Sequence, residues 1–110
     1  MNFKINEHKI SKVIKGYLQS FFNEDKFDWV KEIEIEVSDT KLSGWKDSYP
    51  VFKYNITSNE DFVPTLYIAD LAAKIDDVHN LIFPKTIDGP TAFYSIYLIY
   101  PDGRVRPLFQ

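Results

Sequence analysis

The chain has 110 residues, of which 45% are hydrophobic and 16% aromatic, a composition typical of one globular domain with a bulky core. It contains no cysteine, which excludes disulfides, thiol catalysis and cysteine-ligated zinc. The formal net charge of −3 argues against a nucleic-acid partner, because proteins that bind nucleic acids usually present a basic face.

The amino-terminal residues lack the apolar run of a signal peptide. No stretch approaches the roughly 18 consecutive apolar residues that a membrane-spanning helix requires. We therefore expect no membrane association and a cytoplasmic location.

Residues 7–22 carry the plainest helical pattern in the chain. Asn6 is a suitable N-cap for this helix. Gly16 interrupts the pattern, and we expect it to mark a close contact between the helix and a sheet. The apolar side chains recur along one face of a 3.6-residue period, and they are Ile10, Val13, Ile14, Tyr17, Leu18, Phe21 and Phe22.

Residues 29–37 alternate between apolar and charged side chains. This alternation is typical of a strand that has one buried face and one solvated face. Glu32, Glu34 and Glu36 share the solvated face.

Four shorter predictions lead from this strand to the last part of the chain. The polar composition of residues 39–49 predicts a loop. Residues 50–57 have the pattern of a second strand with Phe52, Tyr54 and Ile56 facing inward, and residues 58–61 that of a turn. Residues 64–81 have the pattern of a second helix. Its apolar stripe is formed by Ile68, Leu71, Ala72, Ile75 and Val78 or His79.

Residues 91–109 read as a β-hairpin with Pro101, Asp102 and Gly103 at its turn. The first arm is apolar or aromatic on both faces, so we place it inside the sheet. The return arm contains Pro107, which cannot donate a ladder hydrogen bond and suits an edge strand.

The order of these elements is α-β-β-α-β-β within one domain, residues 1–110. This order predicts an α+β fold in which a four-stranded antiparallel sheet carries two helices packed on one face.

The residues that could support catalysis do not form a recognisable motif. Asp76, Asp77 and His79 lie within one helical turn, but adjacent helical positions diverge by about 100°. The ordinary interpretation is therefore an exposed helical face with His79 near the C-terminal end, where the helix dipole favours it. The sequence has no G-x-S-x-G motif and no glycine-rich loop. We predict that the protein is not an enzyme and has neither a metal nor a cofactor.

Two features are candidates for binding a protein partner. The row of Glu32, Glu34 and Glu36 is either a solvated face or an acidic surface that steers a basic partner. Trp45, next to Asp47 in a polar loop, is either an aromatic anchor for that partner or a lid on the core.

The pattern of the chain resembles the YezG-like bacterial immunity proteins, which are antitoxins that neutralise secreted nuclease toxins. The resemblance lies in the amphipathic first helix, the WVKEIEIEV strand at residues 29–37, the aromatic strand around residues 51–54 and the final Asp-Gly hairpin. It implies a role without catalysis, in which the protein binds a toxin tightly and blocks it.

Three functional hypotheses follow from these observations. The first is a non-catalytic protein-binding module, an immunity or inhibitor protein against a bacterial toxin that is basic, such as a nuclease. The alternative is a structural or assembly subunit of a phage or other multiprotein complex, whose aromatic side chains provide a surface for self-association. The third is a small enzyme or ligand-binding domain with a pocket between the sheet and the helices.

Overall fold

The computed structural model describes residues 2–6, 10–21, 25–40, 49–84 and 93–109. The helices are α1 (Ser11–Phe21) and α2 (Thr65–Ile82), and a short 3₁₀ helix spans Asp25–Phe27. The strands are β1 (Asn2–Ile5), β2 (Val30–Thr40), β3 (Tyr49–Ser58), β4 (Phe93–Ile99) and β5 (Val105–Phe109).

The five strands form one mixed sheet in the order β1-β2-β3-β4-β5. β1 pairs with β2 and β3 pairs with β4 in parallel, whereas the β2–β3 and β4–β5 pairs are antiparallel. The predicted four-stranded antiparallel sheet is therefore wrong. Each helix connects two strands of a strand–helix–strand unit, and such a crossover returns the chain to the same end of the sheet, which makes the two strands parallel.

Strand β1 was missed because it is only four residues long. Its side chains Phe3 and Ile5 lie in register with Ile33 and Ile35 of β2 and pack against the core. Asn6 extends this pairing with its side chain instead of capping a helix. Its Nδ2 donates to the carbonyl oxygen of Val37 and its Oδ1 accepts from the Val37 amide, both at 2.8 Å.

The core lies between the sheet and the two helices, which contact each other. The predicted inward positions of β2 and β3 are confirmed, because Ile33, Ile35, Phe52 and Ile56 are fully buried. The predicted helix stripes are confirmed in part, because Val13 and Tyr17 of the α1 stripe are exposed. The fully buried side chains that α1 and α2 contribute to the core are Ile14, Leu18, Leu71, Ile75 and Val78.

The C-terminal hairpin agrees with its prediction. β4 lies between β3 and β5, and β5 is the edge strand that carries Pro107. Gly103 has a φ of +90°, the left-handed conformation that glycine favours, and its amide donates to the carbonyl oxygen of Tyr100 at 2.9 Å. The expectation for Gly16 is wrong, because a Cβ built there meets nothing within 4 Å.

Candidate protein-binding surface

One face of the sheet points away from both helices, and we call it the open face. Strand side chains alternate between the two faces, so the residues on the open face follow directly from those in the core. The open face includes Lys4, Glu32, Glu34, Glu36, Ser38, Val51, Lys53, Asn55, Thr57, Phe93, Ser95, Tyr97, Ile99, Val105 and Pro107.

The three predicted glutamates lie in a row on the open face, as their spacing indicates. Residues two apart on a strand are separated by about 7 Å, so the carboxylates do not share one site. Across the sheet, Glu36 lies in register with Lys53 of β3. The row therefore borders a basic side chain instead of forming a uniformly negative surface.

The central glutamate of the row is held by its neighbours. Glu34 forms an ion pair of 3.2 Å with Lys4 and accepts a hydrogen bond of 3.3 Å from Nδ2 of Asn55. The hydrogen bond from Lys4 is the largest cause that lowers the pKa of Glu34 below its usual range. Glu34 thus ties β1, β2 and β3 together, whereas Glu36 is exposed. Partner binding by the three glutamates stays a prediction.

The other predicted binding residues, Trp45 and Asp47, lie outside the described residues. β2 ends at Thr40 and β3 begins at Tyr49, so both belong to the connection between these two strands. Their role stays a prediction too.

The half of the open face formed by β4 and β5 is apolar, and sequence reasoning did not identify it as a surface. Val105 is 58% exposed and Phe93 40% exposed, and Tyr97 and Ile99 are partly exposed between them. The ammonium of Lys53 lies 5.4 Å from the centre of the Tyr97 ring, which joins this apolar half to the charged half. The signal was present in β4, whose side chains are apolar on both faces. This pattern predicts a strand inside the sheet, which β4 is, but the helices cover only one of its two apolar faces.

A shallow concavity of about 620 Å³ lies at one end of the open face. Its lining includes Lys4, Glu36, Lys53 and Ser95. It does not lie between the sheet and the helices, where the ligand-binding hypothesis places a pocket.

The Asp76, Asp77 and His79 group is divided between the core and the solvent. Asp77 is exposed, while Asp76 accepts a hydrogen bond from the hydroxyl of Tyr94 on β4. His79 is buried, with its ring centre 4.3 Å from that of Tyr94 and 5.2 Å from that of Phe52. The predicted exposed position of His79 is therefore wrong, whereas its alternative place in the apolar stripe of α2 is confirmed. In the described parts of the chain, no three His, Cys, Asp or Glu side chains are grouped so that they could hold a metal ion.

The fold is similar to part of a chain in the TssK–TssF–TssG baseplate subcomplex of the type VI secretion system, with a TM-score of 0.50 and 13% sequence identity. The match covers 91% of this chain and 19% of the baseplate chain. At this identity the likeness establishes the fold only. No family model and no curated protein sequence matches the chain.

Neither α1 nor α2 is long and apolar enough to span a lipid bilayer.

Proposed function

We propose that the protein is a non-catalytic subunit of a multiprotein assembly and that it joins this assembly through the open face of its sheet. The observation that carries the proposal is the apolar half of that face, formed by β4 and β5. Both helices pack on the opposite side, so Phe93, Tyr97, Ile99 and Val105 remain accessible. Aromatic and aliphatic side chains beside a charged rim are the usual composition of a protein interface.

Covering this apolar surface with a partner is energetically favourable. Apolar side chains that are about half exposed each contribute on the order of 1 kcal/mol when a partner covers them. Phe93 and Val105 have this exposure, Tyr97 and Ile99 add smaller exposed areas, and the charged half supplies orientation. The fold likeness to a baseplate chain fits this proposal, because there the same fold occurs within a complex of several proteins.

A pair of matched variants tests the proposal. Val105→Glu introduces a charge on the open face, and Val13→Glu introduces the same charge on the helix side, where Val13 is 45% exposed. Both variants and the wild type are tagged, expressed in the native host, and purified with their bound proteins. We expect stoichiometric partners with the wild type and with Val13→Glu, and their loss with Val105→Glu. Retention of the same partners by Val105→Glu, or a bare monomer from the wild type, contradicts the proposal.

A second candidate function is that of an inhibitor of a basic toxin, and the row of Glu32, Glu34 and Glu36 favours it. A basic nuclease cleft attracts carboxylates for the same reason that it attracts phosphates. Trp45 and Asp47 would complete this interface. Once a basic partner is identified, the double variant Glu32→Lys/Glu36→Lys is expected to lower the association rate and to weaken the dependence of that rate on salt. Unchanged association rates would remove the glutamate row from the interface.

A further inference from the structure

The two most exposed large apolar side chains in the described parts of the protein lie beside the start of α2. Phe62 is 78% exposed and Leu66 is 71% exposed. Ala69 and Ala73, also exposed, follow Leu66 at intervals of three and four residues. On an α-helix these intervals place the three side chains on one narrow stripe. We call Phe62, Leu66, Ala69 and Ala73 the α2 patch.

The fold does not require apolar side chains at the patch. Val63 and Ile68 flank the N-cap position Pro64, are buried, and belong to the core, which is the arrangement of a hydrophobic staple. The staple fixes the entry of the chain into α2 and leaves Phe62 outside. The core-facing side of α2 is the opposite one, formed by Ile68, Leu71 and Ile75.

The charges around the α2 patch are mainly negative. Glu60, Asp61 and Asp77 are exposed, and Asp70 is partly exposed one turn after Leu66. The basic side chains nearby are Lys74, which is partly buried, and Arg104. The guanidinium of Arg104 donates hydrogen bonds to the carboxylate of Asp102 at 2.7 Å and to the carbonyl oxygen of Asp61 at 3.3 Å.

We propose that the α2 patch binds an amphipathic helix of a partner polypeptide, with apolar residues on the contact side and lysine or arginine at its margins. The straight stripe along α2 matches the apolar stripe of such a helix, and the two alanines allow the helix axes to approach closely. The acidic margin selects a basic partner over an acidic one. This inference rests on the proposed role as an assembly subunit and adds a second contact, on the side of the protein opposite the open face.

The test uses two synthetic helical peptides of about three heptads, with leucine at the contact positions and either lysine or glutamate elsewhere. Each peptide is titrated into the full chain labelled with nitrogen-15, and backbone amide shifts are recorded by NMR. We expect the leucine–lysine peptide to shift amides between residues 60 and 74 and the leucine–glutamate peptide to leave them unchanged. Shifts centred on the open face, or equal binding of both peptides, would overturn the inference.

Substitutions make the test specific. Leu66→Ser is expected to weaken binding of the leucine–lysine peptide about tenfold, whereas Val13→Ser on α1 leaves it unchanged. Unchanged binding by Leu66→Ser contradicts the inference. Light scattering after size-exclusion chromatography tests for a second copy as the occupant, and a dimer that Leu66→Ser dissociates would replace the proposed partner helix.

The failure of this inference differs from that of the proposed function. If Val105→Glu removes the captured assembly while Leu66→Ser keeps it and binds the peptide normally, only the inference about the α2 patch is contradicted. If Val105→Glu keeps the assembly and Leu66→Ser removes it, the proposed role of the open face as the site of assembly is contradicted.

Discussion

Lys4 and Glu34 form an ion pair of 3.2 Å between the edge strand β1 and its parallel neighbour β2. The pair attaches a strand of four residues to the sheet at the side of the open face. It also turns the central carboxylate of the glutamate row toward the sheet's own lysine.

The first prediction concerns stability at acidic pH. Because the pKa of Glu34 is lowered in the folded protein, this group stabilises the fold above the ordinary glutamate pKa of about 4.3, and the contribution is lost as the pH falls through the lowered folded value. Glu34→Gln should therefore flatten the fall in unfolding free energy between about pH 5 and pH 3. The effect is below about 1 kcal/mol, since Lys4 is largely exposed. Urea unfolding at both pH values measures it, with Glu36→Gln as the control, and an unchanged slope for Glu34→Gln would disprove the assignment.

The second prediction concerns the side chain that continues β1. Asn6 makes two hydrogen bonds of 2.8 Å with the backbone of Val37. Asn6→Ala removes the hydrogen-bond partners of the Val37 amide and of the Val37 carbonyl oxygen. The substitution should lower the unfolding free energy by about 1–3 kcal/mol. Asn59→Ala, which removes a longer and exposed hydrogen bond of 3.4 Å, is the control and should cost much less. Equal losses in the two variants would show that Asn6 does not extend the sheet.

The third prediction concerns alkaline pH and the contact between α2 and β4. Burial is the largest cause that raises the pKa of Tyr94, and its hydrogen bond to Asp76 adds to it. In the unfolded chain a tyrosine ionises near pH 10, so stability is full below about pH 10 and declines above it while folded Tyr94 stays neutral. Tyr94→Phe should reduce this decline and lower stability by about 1 kcal/mol at neutral pH.

Denaturant unfolding at neutral pH and above pH 10 measures both effects. Tyr17→Phe is the matched control, because Tyr17 is exposed on α1. Burial also raises the pKa of Tyr54, so part of the alkaline decline should persist in Tyr94→Phe. A decline identical to that of the wild type would exclude Tyr94 as a contributor.

The fourth prediction compares two glycines. Gly16 lies inside α1 with free space around its missing Cβ, so Gly16→Ala should raise stability by about 1 kcal/mol through helix propensity. Gly103 also has free space but a φ of +90°, so Gly103→Ala should lower stability by about 1–2 kcal/mol. Thermal unfolding of both variants measures the signs, and a loss of stability in Gly16→Ala would show a contact that the structure lacks.

The sequence was sufficient to predict the elements whose hydrophobic pattern repeats over many residues. α2 and the inward positions of β2 and β3 could be predicted because many residues repeat the same pattern. β1 could not, because the alternation of Phe3 and Ile5 over four residues does not separate a strand from the approach to a helix. The sheet type was predicted wrongly because α2 connects β3 to β4, and this crossover favours parallel pairing over the antiparallel pairing that we assumed.

The candidate site could be predicted only in its charged half. The alternation in β2 was enough to place Glu32, Glu34 and Glu36 on one face. The apolar half depends on how many layers cover β4, and the side chains of β4 itself do not carry that information. The position of His79 stayed open between the stripe and the exposed face for a related reason, since its burial depends on packing against Phe52 of β3 and Tyr94 of β4.

The most direct test of the central claim is hydroxyl-radical footprinting of the chain, alone and within the assembly captured from its host. The method reports the solvent access of individual side chains. We predict that Tyr97, Phe93 and Val105 become protected in the assembly while Tyr17 and Val13 on α1 keep their labelling. Unchanged labelling of Tyr97, Phe93 and Val105 in a stoichiometric complex would contradict the claim that the open face joins the protein to its assembly.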